Sequence, residues 1–504
     1  MGQYRFVIPK SERIAAESLV AAQVVGLEGI PWPCKSLLKD DTLLIARNEE
    51  LSGRLLAPFR STKYGELALT TGTLPETETA YFLELELARG SLCRLRNQVS
   101  IWQEGGLNIS DDFLDRLDQV TIQFSEAVFC QDDAERRAAI CESVIESAVD
   151  LMFEITDEFS HQIAQIHDAQ PQNVPIIAGS VFETQQCQPQ NLDELTDFSV
   201  QRMTHPTSLQ NAKDANGTYD FSKTDSVIDW LNEPSIHTAR IVGPLMQFDN
   251  IQLPEWLPED ATFEARMDTI KRMCRRFGAE YQKRIKILHV SSGLNGVGHQ
   301  HFNYPQQLQV TLEMLESLDQ VMPNTSMMVS FDQPWGERLS MATGGVQSME
   351  IADQLLRYGA RISAFGLEFN MDYWPQGTLM RDPLQWVDLI DRWSQFGLPL
   401  AVYLTVPTGD AESVGTSRFA QTIRNSTDAN GYRRYLTTVF NLLVRRPAVN
   451  VVAWRRASDS DNQRFPLSGL IDVSGQPKGI FDWFEQLVDN VIRSQRSMGD
   501  THPS

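Results

Sequence analysis

KILHVSSGLNG, residues 286–296, is the stretch on which the reading of this chain turns. Ile287, Leu288 and Val290 are apolar and bounded by turn formers, the pattern of a core strand in a sheet covered on both faces. Ser291, Ser292, Gly293 and Asn295 follow where such a strand opens toward a ligand. The strand end brings no carboxylate and no thiol.

The same pattern recurs on both sides. PIIAGSVF ends near residue 182, FSVQRM near 203, ARIVGPLM near 246 and SMMVSFD near 332. ISAFGLEF ends near 369, PLAVYLTV near 406 and VNVVAW near 454. Most intervening stretches carry an amphipathic helix, among them FEARMDTIKRMCRRFGAEYQK and PLQWVDLIDRWSQFG. Short strands alternating with helices, in this number, predict an α/β fold, a (β/α)8 TIM barrel over residues 172–492. A doubly wound open sheet is the alternative, but no Gly-rich phosphate loop follows its first strand.

A different texture precedes the barrel. YRFVIP, TLLIARN, GRLLAPF and GELALTTGTLP are short alternating segments bounded by turn residues, predicting an N-terminal β-rich module over 1–108. Within it, YFLELELARGSLCRLRNQVSIW reads either as a helix or, from Leu83, Leu85 and Leu87, as a strand. Residues 109–170 carry helical spacing, with Ser110 as an N-cap, and end in the polar linker DAQPQNVP.

Composition limits the function classes. With 42% hydrophobic and 22% charged residues, the 504-residue chain reads as globular. A net charge of -22 argues against nucleic-acid and anionic-membrane partners, which need a basic face. The six cysteines are scattered and read as free thiols. No apolar run of about 18 residues occurs, and MGQYRFVIPKSERIAAESL lacks an export pattern, so the chain as written reads as cytoplasmic. DANGTYDFSKTD lacks the Gly and Glu that a calcium loop needs at its sixth and twelfth positions. No metal and no cofactor is implied.

In such a barrel the site lies at the C-terminal ends of the strands. The fifth strand opens into FDQPWGERLS, with Asp332, Gln333, Trp335 and Glu337, and the sixth into GLEFNMDYW, with Glu368, Asn370 and Trp374. The eighth ends at Trp454 followed by Arg455 and Arg456. Carboxylates, amides and indoles at a barrel mouth suit a sugar, with aromatic faces stacking on rings and polar groups bonding hydroxyls. Asp332, Glu337 and Glu368 are therefore the candidate catalytic residues. Trp335, Gln333, Asn295, Asn370, Trp374 and Trp454 are the candidate substrate-binding residues, and a carbohydrate is the expected ligand.

Residues 172–490 resemble glycoside hydrolase family 10, the xylanase-type barrels, in the order of their segments. NGTYDFSKTDSVIDWL is similar to that family's segment after the second strand, LPEWL to the one after the third, and GLIDVSGQPKGIFDWF to its closing segment. The resemblance implies a retaining mechanism by two glutamates, an acid/base ending strand four and a nucleophile ending strand seven. Neither is matched: LHVSSG puts Gly293 at the first position, and LTVPTG puts Val406 after the matching Thr405 at the second. Either the acids have moved to Asp332, Glu337 and Glu368, or the barrel binds glycan or a protein partner without cleaving it. An unrelated enzyme on the same fold is a third reading. A pairing of Glu368 with Arg455 or Arg456 in a closed pocket would favour binding over catalysis.

Overall fold

The computed structural model describes residues 2–9, 11–26, 29–48, 50–168, 176–181, 200–201, 207–208, 219–221, 224–225, 228, 241–248, 253, 256–294, 301–340, 345–408, 422–423, 429–456, 458–459 and 465–487. Seven strands come first: β1 (Gly2–Val7), β2 (Gln23–Val25), β3 (Cys34–Lys39), β4 (Thr42–Arg47), β5 (Arg54–Ser61), β6 (Gly65–Thr70) and β7 (Tyr81–Phe82). They form two sheets, ordered β3-β4-β1-β7 and β2-β5-β6, antiparallel except for the β1–β7 pair. In β1 and β4 burial alternates, with Tyr4, Phe6, Leu43 and Ile45 inward, as a half-covered sheet requires. β6 is buried along its whole length, because it has neighbours on both faces.

Three helices follow: α1 (Leu83–Glu104), α2 (Asp111–Phe129) and α3 (Ala134–Asp168). α1 settles the ambiguous Leu-rich segment as a helix. Leu83, Leu87, Leu95, Val99 and Trp102 recur at helical spacing and are buried, whereas the alternating Leu85 is only partly buried. Gly90 lets α1 lie directly on β6, since a Cβ there would stand 2.1 Å from the Thr70 carbonyl oxygen. Ser110 caps α2 as expected, its Oγ accepting from Phe113 N at 3.2 Å.

The remaining strands are β8 (Ile176–Val181), β9 (Val200–Gln201), β10 (Thr207–Ser208), β11 (Tyr219–Asp220), β12 (Ile241–Val242), β13 (Met246–Gln247) and β14 (Ile287–Ser292). After them come β15 (Ser326–Asp332), β16 (Ala364–Asn370), β17 (Tyr373–Trp374), β18 (Leu400–Thr405), β19 (Thr422–Ile423) and β20 (Val449–Trp454). They are interspersed with α4 (Phe263–Tyr281), α5 (Tyr304–Asp319), α6 (Ser348–Arg357), α7 (Pro383–Ser394) and α8 (Ala429–Val444). β10–β11 and β17–β19 are small antiparallel pairs. The others make one parallel sheet in the order β12-β14-β15-β16-β18-β20-β8-β9, with β13 also on β14. β20, last in the chain, thus pairs with β8, first of the set, so the sheet curls back on itself. All of the strands expected from the sequence are present, and the third is split into β12 and β13.

The two faces of the curled sheet differ. Ile241, Met328, Ala401, Tyr403, Val451 and Ala453 form a small apolar cluster of their own, the lower layer of the inner face. The alternate residues, such as Val329, Phe365, Leu367 and Val402, join the main core toward the helices. Above the small cluster the inner face turns polar: Ser330, Asp332, Glu368 and Asn370 are all buried.

The N-terminal sheets dock on the far end of this unit. Ala68 N donates to Met380 O at 2.8 Å, and Gln385 Nε2 to Ala68 O at 2.7 Å. Val25, Leu56 and Ala68 bury Trp374 and Leu379 between the two parts. Asp382 holds this junction twice. It caps α7, accepting from Leu384 N and Gln385 N at 3.1 and 3.2 Å, and it pairs with Arg94 of α1. We expect Asp382→Ala to cost about 3 to 5 kcal/mol, because it strands a mostly buried guanidinium as well as a helix start. Asp382→Asn keeps the cap and should cost less, and urea midpoints of the two variants check the ordering.

Candidate functional site

The inner face carries one continuous network of hydrogen bonds and ion pairs from β14 to the residue that follows β20. His289 Nε2 lies 2.7 Å from Ser330 Oγ, and Ser330 donates in turn to Glu368 Oε1. Arg455 Nη1 stands 2.6 Å from Glu368 Oε2 and donates to Asn370 Oδ1 at 3.0 Å. Asn370 Nδ2 donates to Asp332 Oδ1 at 2.7 Å, and Asp332 Oδ2 lies 3.1 Å from Arg338 Nη2. The strand period places these groups. Gly366, Glu368 and Asn370 are alternate residues of β16, and Ser330 and Asp332 are alternate residues of β15, in register as Ser330 with Gly366 and Asp332 with Glu368. Gly366 makes room: a Cβ there would stand 2.5 Å from Ser330 Cβ.

The protons of this network are fixed by its partners. Glu368, ion-paired to Arg455, accepts from the hydroxyl of Ser330, which has a single proton to give. Ser330 must then accept from His289, so the histidine carries its proton on Nε2 and cannot act as a base toward the serine. The imidazole is further held by Tyr403, stacked at 5.8 Å between centroids.

A second cluster follows β15. Glu337, wholly buried on a short 3₁₀ turn, accepts through Oε1 from Arg381 Nη2 at 3.0 Å, while its Oε2 has no hydrogen-bond partner among the described residues. Burial raises its carboxyl above the ordinary range, against the opposing charge of Arg381. Arg381 also lies 5.1 Å over the ring of Trp335 and donates to Gln385. Trp335 packs edge-on to Phe369 and Trp386, at 5.0 and 4.9 Å.

Asp332, Glu337 and Glu368 each meet an arginine and are at most 1% exposed. Asn370 bridges two of these pairs. Gln333 ties the loop, donating from Nε2 to Gly377 O at 2.8 Å and accepting from Arg338 N at 3.0 Å, on a backbone with φ of 48°. Trp374 lies under the N-terminal sheets, and Trp454 is buried against Phe484 with its Nε1 donating to Ser468 O at 3.0 Å. Asn295 lies outside the described residues. His289, Ser330, Arg338 and Arg381 were not singled out from sequence, although His289 and Ser330 alternate with apolar residues along predicted strands. Among the described residues no group of three or more His, Cys, Asp or Glu is placed to hold a metal ion, and no helix is long and apolar enough to cross a membrane.

No protein-family model matches the chain, and no curated protein does. Among solved structures it is similar to xylanase 10B from Thermotoga maritima, at 12% identity and a TM-score of 0.47 over 65% of this chain and 98% of that one. It is also similar to a bacterial Ig-like domain-containing GH10 xylanase from termite gut, at 15% identity and TM-score 0.46, covering 64% and 77%. Xylanase XynB from Paenibacillus barcinonensis gives 13% identity and TM-score 0.46, covering 65% and 97%.

The central pair yields a direct test. Glu368→Ala removes the carboxylate from beside the buried guanidinium of Arg455 and is expected to lower stability by about 3 to 5 kcal/mol. Adding Arg455→Met removes that guanidinium and should restore much of that loss. A denaturant double-mutant cycle measures both.

Proposed function

We propose that this chain is a glycoside-hydrolase-like protein that binds a β-linked oligo- or polysaccharide and does not cleave it. The curled sheet is taken as a complete (β/α)8 barrel closed between β9 and β12. One observation supports the reading above the rest: each acidic candidate is buried in an ion pair of its own, Glu368 with Arg455, Glu337 with Arg381 and Asp332 with Arg338. Glycoside hydrolysis needs one carboxyl to give up a proton and a second to attack or to activate water. A carboxylate held by a buried guanidinium is a poor donor, and reaching an anomeric carbon would require breaking the pair. The order of family-10-like segments, with Gly293 and Val406 at the two glutamate positions, supports the same reading.

Glu337 favours a second reading. Its raised carboxyl and unpartnered Oε2 are properties of a general acid. Glycan-array binding followed by incubation of the best ligand, with products followed by mass, separates the two. Binding with the ligand intact is expected; released product would overturn the proposal, and its loss in Glu337→Gln would transfer the role to that residue.

A further inference from the structure

The junction between the N-terminal sheets and the parallel-sheet unit forms a half-open pocket of about 350 Å³. Arg54 of β5 and Arg94 of α1 line it from one side, and Arg381 and Arg392 from the other. Four guanidiniums from separate elements converge on one space. Of the two carboxylates on its wall, Asp391 pairs with Arg446 and Asp388 stands among the four arginines, of which Arg94 and Arg381 are also paired with Asp382 and Glu337. Burial and neighbouring charge both act there. Arg54 is lowered by desolvation and then by Arg94, and Arg392 by desolvation together with Arg54 and Arg381, against the pull of Asp388.

Polar atoms at the wall are left over. Thr70 Oγ1, Arg94 Nε and Arg381 Nε are buried and have no hydrogen-bond partner among the described residues, although Arg94 and Arg381 are ion-paired through their terminal nitrogens. Guanidinium forks match the geometry of carboxylate and phosphate oxygens better than that of neutral hydroxyls.

We propose that this junction cavity binds a small oxyanion, the carboxylate or phosphate of a small molecule, and that the bound anion clamps the two parts of the chain together. The site shares Arg381 and Trp335 with the Glu337 cluster, but none of Asp332, Glu368, Asn370 and Arg455 lines it. Calorimetry on the full chain at constant ionic strength uses three probes: inorganic phosphate, glucuronate and glucose. Saturable binding of phosphate or of glucuronate is expected, and which of them binds identifies the source of the oxyanion. Glucose should not bind.

Two variants locate the site. Arg392→Gln removes a guanidinium and should weaken binding about tenfold or more, as the loss of a charged hydrogen bond does. Gln395→Glu, at an exposed position on the cavity's rim, sets a competing carboxylate beside it and should weaken binding several-fold while leaving the fold intact. No binding of either anion, glucose binding as well as glucuronate, or Gln395→Glu binding as the native chain does would each overturn the proposal.

Discussion

The constraint on which the rest depends is the burial of charge on the inner face of a curled parallel sheet. Glu368 on β16 and Arg455, just after β20, are 2% and 4% exposed at their side chains, so neither has water to solvate it. Removing ions of this size from water costs several kcal/mol each, and a contact recovers that only with good geometry and further hydrogen bonds. The further bonds are present. Ser330 serves one oxygen of Glu368, and Asn370 holds the guanidinium of Arg455 on one side and Asp332 on the other. Such an arrangement tolerates one register only, because a slip of a single residue would turn Glu368 and Asn370 toward the apolar helix layer. The ion pair therefore fixes strand register as much as it contributes stability.

The N-terminal sheets extend the same logic outward. Loops at strand ends of an α/β sheet ordinarily face water, yet Trp374 and Leu379 are covered by Val25, Leu56 and Ala68. Once that region is dry, any charge in it needs a partner. Asp382 finds Arg94 across the junction, and Glu337 finds Arg381 beside it. The docking of the first unit and the closure of these side chains are thus one event: each buried acid is tolerable only while the covering elements are in place.

Much of the fold was legible because it is written in local patterns. Apolar runs with period-two inner faces, separated by amphipathic helices, announce a curled parallel sheet without knowledge of any contact. The exceptions are local too. The third strand breaks at Gly243-Pro244, where a Cβ on Gly243 would stand 2.1 Å from His289 O and where proline has no N–H for the ladder. Leu83, Leu85 and Leu87 fit either period, and only the packing of α1 on β6 chose between them. The candidate site was legible in its residue types and not in its pairings. Asp332, Glu337 and Glu368 stand at strand ends where the sequence pointed, but their arginines lie at separations from six to eighty-seven positions away, which no local pattern encodes. Arg455 was one of two named partners for Glu368; Arg381, with neither motif nor period around it, had no signal at all.

What the network can do follows from where its protons are. A nucleophilic serine needs a base that accepts from it, but here Ser330 gives its proton to a carboxylate already neutralised by Arg455, and His289 donates to the serine oxygen. Hydrolysis by paired acids needs one carboxyl protonated and one free, yet Asp332 and Glu368, neighbours in register, each hold an arginine. A step that moved a proton away from either pair would pass through a buried charge separated from its partner. A site built this way holds charge in place.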